Sequence, residues 1–203
     1  MSAVGKGKAT TDDYAWWGQS RWPEFCFTFI SGLAPEEVLR RLRLTEDREQ
    51  EGFATIEVGD ADGGSIMVEW AGHAGIIHDV VRTLSLGTSM ASVTRNVNHH
   101  SRFVHAIDGR VVASLDPMFP NWAFSDEPER LRQDLDDLGM LPQRGPDDED
   151  GFFARYIEAA LALAEQRTGV RLEPRHLQAS ALRYRASIAR YYDPPHGAFP
   201  ELA

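Results

Sequence analysis

The densest run of chemically capable side chains is Asn96, Asn98, His99, His100, Ser101 and Arg102, directly before Phe103. On a strand Asn96 and Asn98 share a face, and histidines at the strand end would converge on the same ligand. Paired amides recognise a planar polar group. The competing reading is a turn in which the asparagines bond their own backbone and the histidines face water. A metal site would recruit His99 or His100 with His105, Glu69 or Asp116, since imidazole and carboxylate suit zinc or iron. No His-Glu-x-x-His, cysteine ligand pair or acidic calcium loop accompanies them, so no metal and no cofactor is expected.

Other chemistry is thinner. Gly72-His73-Ala74-Gly75 and the glycines between Gly59 and Gly64 lack the strand-to-helix setting and the lysine of a phosphate loop. Cys26, between Phe25 and Phe27, is a hidden thiol with a raised pKa rather than a nucleophile. Ser85, Ser89 and Ser92 have no assigned base, and no Gly-x-Ser-x-Gly elbow occurs. Glu69 and Asp116, both at strand ends, are the candidates for acid/base work. The aromatic set Tyr14, Trp16, Trp17, Trp22, Trp70 and Trp122 either lines a pocket and anchors a partner or closes the core. Arg171, Arg175, Arg183, Arg185 and Arg190, interleaved with tyrosines, offer a basic face that would meet an acidic partner, water, or the acidic stretch from Asp136 to Asp150.

These residues need elements to hold them. Residues 25–30 read as a buried strand, followed by a helix that starts at Pro35, with Glu36 and Glu37 at its positive end and Val38, Leu39 and Leu42 on one face. Residues 53–58 and 65–70 form a hairpin by their period of two, and residues 77–84 a short helix. Residues 91–98, 102–107 and 110–115 continue as strands, with Asp108-Gly109 supplying a tight hairpin turn. Residues 127–138 form an amphipathic helix, residues 142–151 a Pro- and Asp-rich linker, and residues 152–168 and 173–191 two further helices.

The whole chain sets bounds. At 203 residues it can bury its own core. One cysteine excludes an internal disulfide and fits a reducing compartment, and no run of apolar residues is long enough to span a membrane. The net charge of −10 opposes general nucleic-acid binding. It is uneven: residues 171–203 carry +2, which leaves −12 on the rest.

The ordered stretches Cys26-Phe27-Thr28-Phe29, Gly32 to Leu42, Leu84 to Thr88, Asn96-Val97-Asn98, Asp108-Gly109-Arg110 and Asp116-Pro117 resemble an uncharacterised actinobacterial domain-of-unknown-function family over residues 14–140. The resemblance implies a bacterial cytoplasmic setting and an accessory protein, and it carries over no site residue.

The fold expected is α+β: a mainly antiparallel sheet of about five or six strands, a packed helix and C-terminal helices. Its parts would be a disordered tail (1–13), an α+β domain (14–141), an acidic linker (142–151) and a docked helical extension (152–203). The function expected is noncatalytic intracellular binding of a protein or small molecule, as in an immunity, self-resistance or regulatory factor. The residues chosen for it are Asn96, Asn98, His99, His100, Trp16, Trp17, Trp70, Glu69 and Asp116. The alternative is a small-molecule or peptide-modifying enzyme that uses the His, Glu and Asp groups for acid/base chemistry. Neither nucleic acid nor a membrane is an expected partner.

Overall fold

The computed structural model describes residues 7–19, 22–141, 155–178 and 181–192. At its centre lies β1 (Phe25–Ser31), hydrogen-bonded on one side to β3 (Gly64–Glu69) and on the other to β4 (Ser89–Arg95). With β2 (Thr55–Ala61), β5 (Ser101–Ile107), β6 (Arg110–Leu115), β7 (Phe124–Ser125) and β8 (Tyr184–Ser187) they form an antiparallel sheet in the order β7-β6-β5-β4-β1-β3-β2-β8. Five or six strands were expected and eight are present among the described residues.

β1 reads as a continuous apolar run because helices cover both of its faces. Phe25, Phe27 and Phe29 meet one layer: α3 (Pro128–Asp137), α4 (Tyr156–Thr168) and a 3-10 turn at Thr11–Tyr14. Ile30, with Met67 of β3 and Met90 of β4, meets the other, built from α1 (Pro35–Arg41) and α2 (His78–Ser85). Residues 157–164 of α4 are buried all round, as in a helix enclosed between a sheet and an outer segment. Its alanines let the backbone come close to β4. Each fully buried phenylalanine of β1 contributes about 2 kcal/mol relative to exposure.

Two expectations need correction. The helix over 173–191 is instead a 3-10 turn (Pro174–Leu177), the strand β8 and a one-turn helix α5 (Ala189–Tyr192). β2 presents an open edge, and β8 fills it with Ile56 opposite Ala186 and Glu57 opposite Arg185. Pairing with an edge that needs partners overrides a weak helical preference. Residues 7–13, assigned to a disordered tail, pack on the body: Ala9 is buried, and the Lys8 ammonium bonds Asp134 at 2.7 Å and Asp137 at 3.0 Å. The linker over 142–151 lies outside the described residues.

No helix among the described residues is long and apolar enough to cross a membrane. Three of the C-terminal arginines pair with carboxylates outside the acidic stretch. Arg171 pairs with Glu165 and Asp13, Arg183 with Asp60, and Arg185 with Glu57.

Candidate binding site

On the α4 face, at the β3-β2-β8 end of the sheet, the surface opens into a groove of about 590 Å³. Its aromatic wall begins with Trp70, the first residue after β3. Trp70 meets Phe27 of the core edge-on at 5.8 Å and stacks on Trp22 with ring centroids 4.3 Å apart. Phe53, 65% exposed, and Leu177 add apolar surface to the same groove. Phe53 and the half-exposed Trp22 thus leave aromatic rings open on the groove's wall.

The groove's polar floor comes from the register of β2 and β8. Ile56, Val58 and Ala186 point to the α1/α2 layer, which sends Thr55, Glu57 and Arg185 to the groove side. The Arg185 guanidinium donates from both Nε (3.0 Å) and Nη2 to Glu57 Oε1. Gln50 Nε2 donates to Thr55 Oγ1 at 3.3 Å. These groups satisfy one another, and the pair sits at the bottom of the groove as a fixed dipole.

Glu69, the neighbour of Trp70, points through the sheet to the opposite layer and anchors the rim. It is buried; its Oε2 accepts the Ala74 N–H at 2.8 Å and its Oε1 accepts the Tyr192 hydroxyl at 2.8 Å. The Tyr192 oxygen in turn accepts the His73 N–H. Burial raises the Glu69 carboxyl above its ordinary range, and burial together with Glu69 raises the Tyr192 phenol. Gly72 is required here, since a Cβ would lie 2.3 Å from Glu69 Oε1 and 2.4 Å from the Tyr192 oxygen. The Tyr192 ring contacts Phe53 at 4.9 Å, so the buried hub reaches the groove's exposed ring.

Beside the hub, Cys26 Sγ, Thr28 Oγ1 and Ser92 Oγ form a buried chain at 3.3–3.4 Å. Burial first, and the Glu69 carboxyl second, push the Cys26 thiol up to about 11. It is a packed thiol, poorly suited to attack.

The residues singled out from sequence occupy separate places. Asn96 Oδ1 accepts the backbone N–H groups of Asn98 (2.9 Å) and His100 (3.0 Å), closing the β4–β5 turn. His99 holds a positive φ of 62° there, and Asn98, His99 and His100 face solvent. Asp116 Oδ1 accepts the Ser101 hydroxyl and the Met118 N–H, both at 2.9 Å, at the start of the turn after β6. Trp17 is buried edge-on to Phe25 and Phe27, with Trp16 half-buried beside it. Only Trp70 lines the groove, with Glu69 behind it. No group of three or more metal-ligating side chains occurs among the described residues.

Phe53, Leu177 and Arg185 complete the groove without having been singled out. Phe53 reads as the first residue of a strand, and Arg185 as one arginine among five. Only the pairing of β8 with β2 brings them together.

The chain matches the family of unknown function DUF6461 over residues 7–58 and again over 50–190, so the match runs past residue 140 through β8. No curated protein and no solved structure matches.

Proposed function

We propose that this chain, which belongs to the family of unknown function DUF6461, is a noncatalytic intracellular binding protein that holds a small, flat, largely apolar molecule in the groove between Trp22, Trp70 and Phe53. The observation that carries the reading is the groove itself: about 590 Å³, a volume suited to a small ligand, with aromatic rings exposed on its wall. Aromatic faces supply area at low entropic cost, and the Glu57–Arg185 pair supplies one polar contact for orientation.

The noncatalytic half rests on the state of the two buried carboxylates beside the groove, Glu57 and Glu69. Glu57 is tied to Arg185, and Glu69 is turned away and committed to Ala74 and Tyr192. Acid/base work needs a group within hydrogen-bond reach of the reacting atom, and neither is free to serve. A buried free thiol at Cys26 suits a reducing compartment. Sequestering a molecule without converting it is what a self-resistance, immunity or regulatory factor does.

The test is a titration of the full chain against a library of planar heteroaromatic fragments, followed by tryptophan fluorescence. Hits should quench the Trp22–Trp70 emission and lose at least tenfold in affinity in Trp22→Ala, which changes a half-exposed ring. Absence of hits, hits indifferent to this substitution, or turnover of a bound fragment would overturn the reading.

A further inference from the structure

A second hollow, a cleft of about 520 Å³, lies on the same face at the far end of the sheet, between β5, β6, α3 and the end of α4. The three arginines in its wall are each matched: Arg110 pairs with Asp126, Arg130 with Glu127 and Arg167 with Asp134. That cleft offers a ligand no uncommitted charge.

The groove does. Its lining holds one cation, Arg185, and two carboxylates, Glu51 and Glu57. Arg185 is committed through all three of its nitrogens: Nε and Nη2 donate to Glu57 Oε1, and Nη1 donates to the Gln50 carbonyl at 3.5 Å. Glu51 is exposed, and its carboxylate has no ion pair among the described residues. The loop that carries it, residues 45–52, holds four carboxylates and one arginine, and that arginine, Arg48, pairs with Glu46.

The other end of the aromatic wall has the same sign. Glu24, two residues beyond Trp22, acts as a negative neighbour on the Glu69 carboxyl behind Trp70. Arg95 approaches there too, donating from Nη2 to the Trp22 carbonyl at 2.6 Å. Its guanidinium lies over Phe25, 5.4 Å from the ring centroid, and does not line the groove.

These charges select among ligands. An anion would meet Glu51 with no uncommitted cation in the lining to answer it. A neutral molecule would gain nothing from the carboxylate. A cation gains twice, because indole and phenyl faces are the negative side of the ring quadrupole and these rings stand beside an unanswered carboxylate.

Resting on the reading of the groove as a ligand site, we infer that its ligand is a flat organic cation whose charge sits on an alkylated aromatic nitrogen, as in N-alkylpyridinium and N-alkylquinolinium ions. The ring system lies against Phe53 and the Trp22–Trp70 pair, and the charged edge faces Glu51. The acidic loop draws such cations towards the groove before contact.

The test is calorimetric titration of the full chain at neutral pH with three molecules of one shape: N-methylquinolinium, uncharged quinoline and quinoline-2-carboxylate. The cation should bind at least tenfold more tightly than quinoline, and the carboxylate more weakly than quinoline. Glu51→Gln alters an exposed side chain; it should weaken the cation at least threefold and leave quinoline unchanged, and added salt should act in the same way. Trp22→Ala should weaken cation and quinoline together. Quinoline that binds as tightly as the cation, with both lost in Trp22→Ala, would overturn this inference and leave the groove as a ligand site. A cation indifferent to Glu51→Gln or to Trp22→Ala would overturn it as well. Failure of all three to bind would overturn it, and the groove reading falls with it only if the wider set of planar fragments also fails.

Discussion

The groove and the cleft share one sheet face and have similar volumes, yet they are finished in opposite ways. In the groove the buried Glu57 carboxylate is paired with Arg185 and the apolar rings are left exposed. In the cleft between β5, β6, α3 and the end of α4 two polar atoms, Arg167 Nε and Gln166 Oε1, are buried without a partner among the described residues. The first arrangement recognises by area and shape and is indifferent to small polar changes in a ligand. The second leaves desolvated polar atoms unpaired, at about 1–3 kcal/mol each.

The largest way to break the comparison is Gly72→Ala. The added Cβ falls within 2.5 Å of Glu69 Cδ and 2.4 Å of the Tyr192 oxygen, so the carboxyl must leave at least one of its partners while still buried. A loss of about 3 kcal/mol is expected in urea denaturation, together with loss of groove ligands, while the β5–β6 end of the sheet keeps its structure. Equal damage at both ends would mean that the hub supports the whole sheet rather than the groove.

Acid should strike the cleft first. Burial, then Arg167 and Arg130, depress His105 from 6.5 to about 4, so the folded state resists a proton that the unfolded chain accepts. Its contribution is complete above about pH 6.5 and is lost as pH falls towards about 4, by up to about 3 kcal/mol. His105→Gln should flatten stability across that window. Glu69 acts with the other sign. Its raised carboxyl keeps a proton that the unfolded chain releases, so its contribution declines as pH rises from the unfolded value through the folded one. Stability profiles of His105→Gln and Glu69→Gln that fail to differ in sign would remove the contrast.

What could be read in the sequence follows from how local the cause is. The β1 strand was legible because an apolar run buried on both faces needs no distant information. The helix α1 was legible because Pro35, Glu36 and Glu37 mark its start. Asp108 and Gly109 both take positive φ, 49° and 79°, as a tight hairpin turn requires. β8 was not legible, since the edge it completes belongs to β2, over a hundred residues earlier. The same holds for the sites. Trp70 announces itself as an aromatic, but its partners arrive from loops and from β8. The cleft joins residues 105–130 to the end of α4, and no local pattern marks Arg167 as an arginine whose Nε is buried. The Asn/His run was conspicuous for a local reason of another kind: Asn96 builds its own turn.

The smallest expected effects sharpen the difference most. Arg185→Met leaves the Glu57 carboxylate, 11% exposed, without its guanidinium at the floor of the groove. Its cost should be about 2 kcal/mol, below that of a fully enclosed pair because Arg185 itself is 30% exposed. Glu57→Gln keeps an acceptor for Arg185 and should cost about 1 kcal/mol or less. If the groove binds by area, ligand affinity in Glu57→Gln should fall less than threefold even though the floor has lost its charge. Gln166→Met, near the end of α4, removes the Nε2 donor to the Ala9 carbonyl together with the unpartnered Oε1, and should cost about 1 kcal/mol of stability. A groove ligand that loses tenfold or more in Glu57→Gln would mean that the groove recognises by directed bonds.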